Sequence, residues 1–246
     1  MTTLPPYPAP FYAALHTGTE GDLAFYRQAC EGVASVLELG CGDGRVLSVL
    51  DVPERHGLDL HDGLLGAART RMGDAVHLHR MDMRTFELGR TFARIVLPFS
   101  GVYCLLSDDD LHLCLKRVRE HLDDGGAFVL DAYGAEAFHA DAEPDDVGDE
   151  DWNELAVIEV DGHPYTVFER SIWDPDAQRI DVTYRHVRLD GPAAPIDGVI
   201  EQRYLLRHQV EGHLRDAGFS TVEMFGGFDE RAPSRDAEHW AARAWA

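Results

Sequence analysis

Between residues 34 and 131, short apolar runs alternate with stretches whose apolar residues recur every three or four positions. This is the pattern of βαβ units feeding a parallel sheet. ASVLEL (34–39), RHGLDL (55–60), AVHLHR (75–80), TFARIVLP (91–98) and GAFVLD (126–131) read as strands, with helices at 63–72 and 108–121 between them. Five strands in this order predict a doubly wound α/β core. Asp108, Asp109 and Asp110 open the second helix, where carboxylates favour the exposed N–H groups, so the triplet reads as a cap rather than a metal site.

After Asp131 the period changes. Residues 141–151 carry seven acidic side chains in eleven positions and read as a solvated loop. ELAVIEV, YTVFERSIW, RIDVTYRHVRL and VIEQRYLL follow, separated by DGH, DPDAQ and DGPAAPIDG, which are turn sequences. This predicts a small antiparallel sheet inserted into the core. RHQVEGHLRDAGF (207–219) reads as a helix closed by Gly218, STVEMFGGF returns to strand, and HWAARAWA (239–246) is ambiguous between strand and helix. The expected organisation is an N-terminal segment at 1–33, a core at 34–140, the insertion at 141–206 and a return to the core at 207–246.

Composition narrows the chemistry. The chain has 246 residues, 45% of them apolar and 27% charged, enough to bury a core and solvate its surface. Its net charge of −22 would repel phosphate backbones and anionic lipid, so neither nucleic acid nor a membrane is an expected partner. No apolar stretch nears a membrane span and MTTLPPYPAP lacks the features of a signal peptide, so a cytoplasmic protein is expected. Lys116 is the only lysine, which leaves Schiff-base catalysis one poor candidate. The four cysteines show no CxxC and the thirteen histidines no HExxH or paired spacing, so neither a disulfide framework nor a bound metal is indicated.

One turn carries chemistry. Glu38-Leu39-Gly40-Cys41-Gly42-Asp43-Gly44 follows the first strand and is expected to open a helix, its glycines letting the backbone approach a ligand. The dinucleotide fingerprint is not met, because Arg45 stands where a small third residue is needed and the last glycine comes one place early. Asp59 ends the second strand nineteen residues past Gly40, where a carboxylate can accept both hydroxyls of a ribose. Asp82 follows the third strand and can accept a hydrogen bond from an adenine amino group.

With these elements in this order, the chain resembles the class I S-adenosylmethionine-dependent methyltransferases. The resemblance rests on Glu38–Gly44, LDL (58–60), MDMRTF (81–86), IVLPFSGVYCL (95–105) and HLDDGGAFVLD (121–131), about half the chain. The subgroup it looks most like has an antiparallel insertion after the fifth strand and includes aminosugar N-methyltransferases. The resemblance implies a seven-stranded, mostly parallel Rossmann-like sheet with the insertion as a lid, and S-adenosylmethionine as cofactor. It further implies that Gly40, Cys41, Gly42 and Gly44 hold the methionine portion, Asp59 the ribose, and Asp82 and Met83 the adenine, with Glu38 and Leu60 also among the cofactor-binding residues. Pro98 and Phe99 would line the same pocket, and Tyr12, in the FYAAL segment, would close over it.

The acceptor is less legible. Methyl transfer needs alignment and exclusion of water more than an obligatory catalytic group. If a base is required, Tyr103 and Tyr133 are the candidates, although a tyrosine at a strand end also serves as packing. In the insertion, Trp152, Tyr165, Trp173, Tyr184, His186 and Arg203 are candidates for binding a small-molecule acceptor, the aromatics also being able to pack the sheet. The reading that results is methylation of a small metabolite, nitrogen ahead of oxygen. Its alternatives are attack on the aminobutyrate chain of the same cofactor, a nicotinamide oxidoreductase and a non-enzymatic cofactor-binding subunit. The net charge favours a neutral or amine-bearing acceptor over a multiply charged phosphate ester. Oligomeric state stays open, a homodimer being one option.

Overall fold

The computed structural model describes residues 7–142, 148–149 and 151–246; most of the acidic run at 141–151 lies outside them. The chain forms two compact units, one of residues 18–140 and 205–246, the other of the N-terminal stretch to Thr17 and residues 141–204.

The larger unit is built on seven strands: β1 (Ser35–Leu39), β2 (Glu54–Asp59), β3 (His77–Arg80), β4 (Phe92–Leu97), β5 (Leu122–Tyr133), β11 (Thr221–Phe225) and β12 (His239–Trp245). Their order is β11-β12-β5-β4-β1-β2-β3. The first five pair in parallel, while β12 runs antiparallel to both β5 and β11. The doubly wound, mostly parallel sheet expected from the sequence is therefore present. Every residue of β1 is buried, the polar Ser35 and Glu38 included.

The ambiguous HWAARAWA becomes a strand because it lies inside the sheet, with Trp240, Ala241, Ala242 and Ala244 all buried. Helix α2 (Asp22–Ala29) packs on this core through Phe25, Tyr26 and Ala29, so residues 18–33 go with the larger unit. α4 (Asp108–Glu120) starts as expected: Ser107 Oγ accepts the Asp110 N–H at 3.1 Å, with the three aspartates in the first turn. α3 (Asp62–Met72) and α6 (Arg207–Asp216) complete the crossovers and the return.

One element differs. The glycine turn does not open an α-helix; only a 3-10 turn forms at Leu47–Val49. Pro53 follows closely and keeps its predecessor out of helical conformation, and the Arg55 guanidinium takes the carbonyls of Leu47 (3.1 Å) and Leu50 (3.3 Å).

The smaller unit is an antiparallel sheet of β10 (Ile196–Arg203), β9 (Arg179–Arg188) and β8 (His163–Asp174). Both β6 (Gly148–Asp149) and β7 (Asn153–Val160) pair with β8. Helix α1 (Ala9–Leu15) covers it with an aromatic core. Phe11 meets Tyr165 edge-on at 4.9 Å, and Tyr7 stacks on Tyr184 at 5.8 Å. The His186 Nδ1–H donates to the Ile196 carbonyl at 3.0 Å, which leaves Nε2 to accept the Tyr7 hydroxyl at 3.1 Å. Burial holds this imidazole below its ordinary pKa, in keeping with a neutral ring.

Tyr7 lies directly over Gly198, where an added Cβ would stand 2.2 Å from the ring. Gly198→Ala is therefore expected to lose about 1–3 kcal/mol of stability through overpacking. Chemical denaturation checks this, and an unchanged midpoint would contradict the packing.

Candidate cofactor site

Parallel strands leave their backbone turns at one edge, and β1, β2, β4 and β5 end together there. Gly40 (φ 61°) and Gly42 (φ 54°) adopt the left-handed conformation that L side chains rarely take. A Cβ added at either would enter open space, so no protein atom lies against the backbone there. Gly44 differs, since its Cβ would meet Met72 Cε at 2.3 Å; packing explains it.

Asp59 ties this turn to the end of β2. One carboxylate oxygen accepts the Gly42 N–H and the other the His61 N–H, both at 2.8 Å. The Cys41 N–H donates to the Leu58 carbonyl at 2.9 Å, a further clamp between the strand ends. An ionised carboxylate offers about four lone-pair directions, so Asp59 keeps acceptor capacity after both bonds. Beside it Leu60 is 57% exposed, apolar surface at the open edge. Glu38 is buried and accepts the Leu47 N–H at 3.0 Å, so it braces the stretch after the turn rather than facing a ligand. Burial raises its carboxyl well above the usual range. Cys41 is likewise buried.

Asp82 is committed to Arg84. Its oxygens accept the Arg84 N–H at 2.8 Å and the guanidinium at 2.6–3.1 Å, and that guanidinium also donates to Asp110 at 2.7 Å. The Arg84 bonds hold the Asp82 carboxyl below its ordinary value. An adenine amino group would have to share a carboxylate already satisfied. Met83 next to it is half-buried.

After β4, Pro98 is buried, while Phe99 (φ 56°) and Ser100 (φ 58°) are two consecutive non-glycine residues in left-handed conformation. Such backbone costs about 1–3 kcal/mol per residue and persists only where its surroundings fix it. Asp131, in the buried stretch of β5, is what fixes it. Its Oδ1 accepts the Phe99 N–H at 2.9 Å and the Tyr26 hydroxyl at 2.5 Å, and its carbonyl accepts the Ser100 N–H at 3.2 Å. Ser100 Oγ in turn accepts the Tyr133 N–H at 3.1 Å. On the open side, the Arg45 guanidinium lies 5.6 Å from the Phe99 ring and pairs with Asp22 at 2.6 Å. Asp131 and Tyr26 were not among the residues singled out from the sequence; the available signal was a carboxylate closing an otherwise apolar strand.

Tyr103 is a correction. It is fully buried, its hydroxyl within 2.9 Å of the Tyr133 carbonyl and 3.0 Å of the Leu205 carbonyl while accepting the Trp240 indole N–H at 3.1 Å. Burial drives its phenol well above the ordinary range. These contacts brace β5 and β12, a structural role in place of a general base. Tyr133 is half-buried and edge-on to Tyr103 at 4.8 Å.

In the smaller unit, Tyr165 and His186 are buried in the aromatic core, which accounts for both by packing rather than by an acceptor. Trp152, Trp173, Tyr184 and Arg203 are half-buried. Trp152 lies between the guanidinium groups of Arg185 (4.4 Å) and Arg170 (5.0 Å), and the Trp173 indole N–H reaches the Tyr204 hydroxyl at 3.4 Å. Tyr12 packs on His16 at 4.5 Å within this unit.

A methyltransferase-domain family model matches residues 36–126, the stretch holding the glycine turn, Asp59 and Asp82. Over 204 residues the chain is 31% identical to dTDP-3-amino-3,4,6-trideoxy-alpha-D-glucopyranose N,N-dimethyltransferase of Streptomyces venezuelae, an alignment spanning 82% of this chain and 79% of that one. The chain belongs to the class I S-adenosylmethionine-dependent methyltransferases. The methyltransferase is also 30% identical, over 232 residues, to dTDP-3-amino-3,6-dideoxy-alpha-D-glucopyranose N,N-dimethyltransferase of Streptomyces fradiae, covering 89% of this chain and 86% of its relative. Solved structures share its fold. The CcbJ methyltransferase from Streptomyces caelestis matches with a TM-score of 0.77 at 23% identity, over 93% of this chain and 97% of that one. CalS10 from Micromonospora echinaspora, solved with S-adenosylmethionine bound, matches with a TM-score of 0.64 at 22% identity, over 92% and 89%. The cofactor is S-adenosylmethionine, which removes the nicotinamide oxidoreductase reading, and the protein is an enzyme, which removes the non-catalytic subunit.

The residues present fit that cofactor: unobstructed backbone at Gly40 and Gly42 beside a carboxylate with acceptor capacity to spare. Asp59→Ala should weaken S-adenosylmethionine binding by about 1.5–3 kcal/mol, because the turn loses its clamp and the ligand an ionised acceptor. Asp82→Ala should cost less, its carboxylate being already engaged by Arg84. Calorimetric titration of both variants checks the order, and a reversed order would move the adenosine.

Asp131 generates a second expectation. Burial raises its carboxyl from 3.8 to about 6, the Tyr26 and Phe99 bonds only partly offsetting the loss of solvation. The folded state then holds its proton more tightly than the unfolded chain, so this group's contribution to stability falls as pH rises from about 4 to 6, by up to about 3 kcal/mol. Asp131→Asn removes the titration. Its stability relative to the wild type should climb across that window in denaturant melts, and parallel pH profiles would contradict the assignment.

Proposed function

We propose that the enzyme methylates the amino group of a nucleotide-linked aminosugar. The observation that carries this reading is the 30–31% identity, over most of both chains, to enzymes named as N,N-dimethyltransferases of dTDP-aminosugars. The cofactor supplies a methyl group on a sulfonium, open to in-line displacement. The chain's task is to hold that sulfonium and an amine lone pair in line and dry. Gly40 and Gly42 let the backbone lie against the methionine portion, and Asp59 fixes the ribose. Leu60 and Met83 offer apolar surface to the adenine, and the Pro98–Phe99 turn, fixed by Asp131, borders the reacting centre. No residue must change its covalent state. The amine loses its proton before attack, Tyr133 being the remaining candidate to steer it, so kcat/KM rises with pH until the free amine predominates.

Acceptor recognition belongs in this proposal to Trp152, Trp173, Tyr184 and Arg203 of the inserted unit, and a cofactor contact to Tyr12. Cytoplasmic location and action on small-molecule metabolism belong to the same reading; among the described residues no helix is long and apolar enough to cross a membrane. A nucleotide-linked acceptor runs against the expectation drawn from the charge of −22. Surface fields are screened within about 8 Å at physiological salt, so local guanidinium groups outweigh a distant excess of acid.

The test is a panel of thymidine diphosphate-linked aminosugars, free aminosugars, phenols and carboxylates, with products weighed by mass spectrometry. The linked aminosugars should turn over best, giving products heavier by one and then two methyl groups. Methylation confined to oxygen, or release of methylthioadenosine through attack on the aminobutyrate chain, would overturn the proposal.

A further inference from the structure

At the other end of the parallel sheet, away from the cofactor turn, the strands begin rather than end. Glu54 and His56 stand two apart on β2, and His77 and His79 two apart on β3. A strand points residues i and i+2 to the same face, so each pair projects together. Register pairs His56 with His77 across the two strands. Donor atoms of Glu54, His56 and His77 all lie within 4.8 Å of one another, and no other group of three His, Cys, Asp or Glu among the described residues meets that spacing. The cluster sits roughly 16 Å along β2 from Asp59, five residues at strand rise.

We propose that Glu54, His56 and His77 form a binding site for a divalent transition metal of the zinc class, with His79 as the positioning residue that orients His56. Two imidazoles and a carboxylate are the ligand types such ions take, and three protein ligands leave a position for water. Tetrahedral donors about 2.1 Å from zinc lie about 3.4 Å apart. Glu54 Oε1 and His56 Nε2 already stand 3.3 Å apart, and His77, exposed at the strand's start, has room to swing inward.

The surroundings suit this use. His56 Nδ1 lies 3.1 Å from His79 Nε2 with the rings stacked, so His56 can donate through Nδ1 and turn the Nε2 lone pair towards Glu54. The Phe92 ring supports His56 edge-on at 5.0 Å. Arg90 donates to Glu54 Oε2 at 2.7 Å and fixes the carboxylate's rotamer; its second bond, to Oε1, is the one a metal must displace. The sequence signal was E-x-H and H-x-H on adjacent strands, a pattern that a search for helical or loop spacings passes over.

The experiment titrates zinc chloride into the full chain, free of any affinity tag, by calorimetry. One equivalent should bind saturably and raise the melting temperature. Glu54→Gln and His77→Gln, each on the surface and able to fold, should each weaken binding at least tenfold, and His79→Gln about ten- to a hundredfold. His112→Ala, outside the cluster, should leave binding unchanged and control for adventitious histidine. Absence of saturable binding, or a loss below tenfold in either ligand variant, would overturn the site.

Discussion

A single carboxylate joins the two turns on which the cofactor edge is built. Asp59 accepts one N–H from the glycine turn after β1 and one from the residues after β2, each at 2.8 Å. Parallel strands supply no hairpin to hold their ends in register; here a side chain does so, at the edge proposed to take the cofactor. In the proposed binding mode the same group also accepts the ribose hydroxyls, so that clamp and ligand contact would be one piece of chemistry. Asp131 does the matching job at the neighbouring pair of strands, β4 and β5, where it holds the left-handed Phe99–Ser100 backbone through one oxygen and its own carbonyl. The cost of that arrangement is a buried carboxyl whose pKa is pushed up to about 6.

Charge acts locally in this molecule. The net charge of −22 invites an argument from the field as a whole. Yet Arg45 is paired with Asp22, Arg84 with Asp82 and Asp110, Arg90 with Glu54, and Arg185 with Asp197. In each case an arginine positions an acid, and the groups that meet a ligand do so over a few ångströms. The same locality explains why Asp59, whose hydrogen bonds come from two backbone amides, is the freer of the two carboxylates, Asp82 being held by Arg84.

Most of the core was legible because short strand-like runs alternate with turn residues and helical periods, and the central strands β1 and β4 bury most of their residues. β1 to β5 appear as apolar runs, and the insertion as period-two runs between Asp-Gly and Asp-Pro turns. HWAARAWA could not be assigned from its own period, since alanine fits either state; its neighbours β5 and β11 decide it. The helix expected after the glycine turn failed on Pro53 and on Arg55 capping the carbonyls. The glycine turn, Asp59 and Asp82 stand out in the sequence by order and spacing, whereas Asp131 and Tyr26 do not, because their partnership spans 105 residues and exists only in the fold. Tyr103 shows the opposite limit: a tyrosine at a strand end looks the same in sequence whether its hydroxyl faces a substrate or two carbonyls and an indole.

If the Gly40–Gly42 turn and Asp59 together seat the cofactor, a crystal structure of the chain with S-adenosylhomocysteine will show it. Both ribose hydroxyls should lie within hydrogen-bonding distance of the Asp59 carboxylate, with the homocysteine portion against the Gly40–Gly42 backbone. A ribose bound elsewhere, with Asp59 engaged only by the Gly42 and His61 amides, would contradict this arrangement.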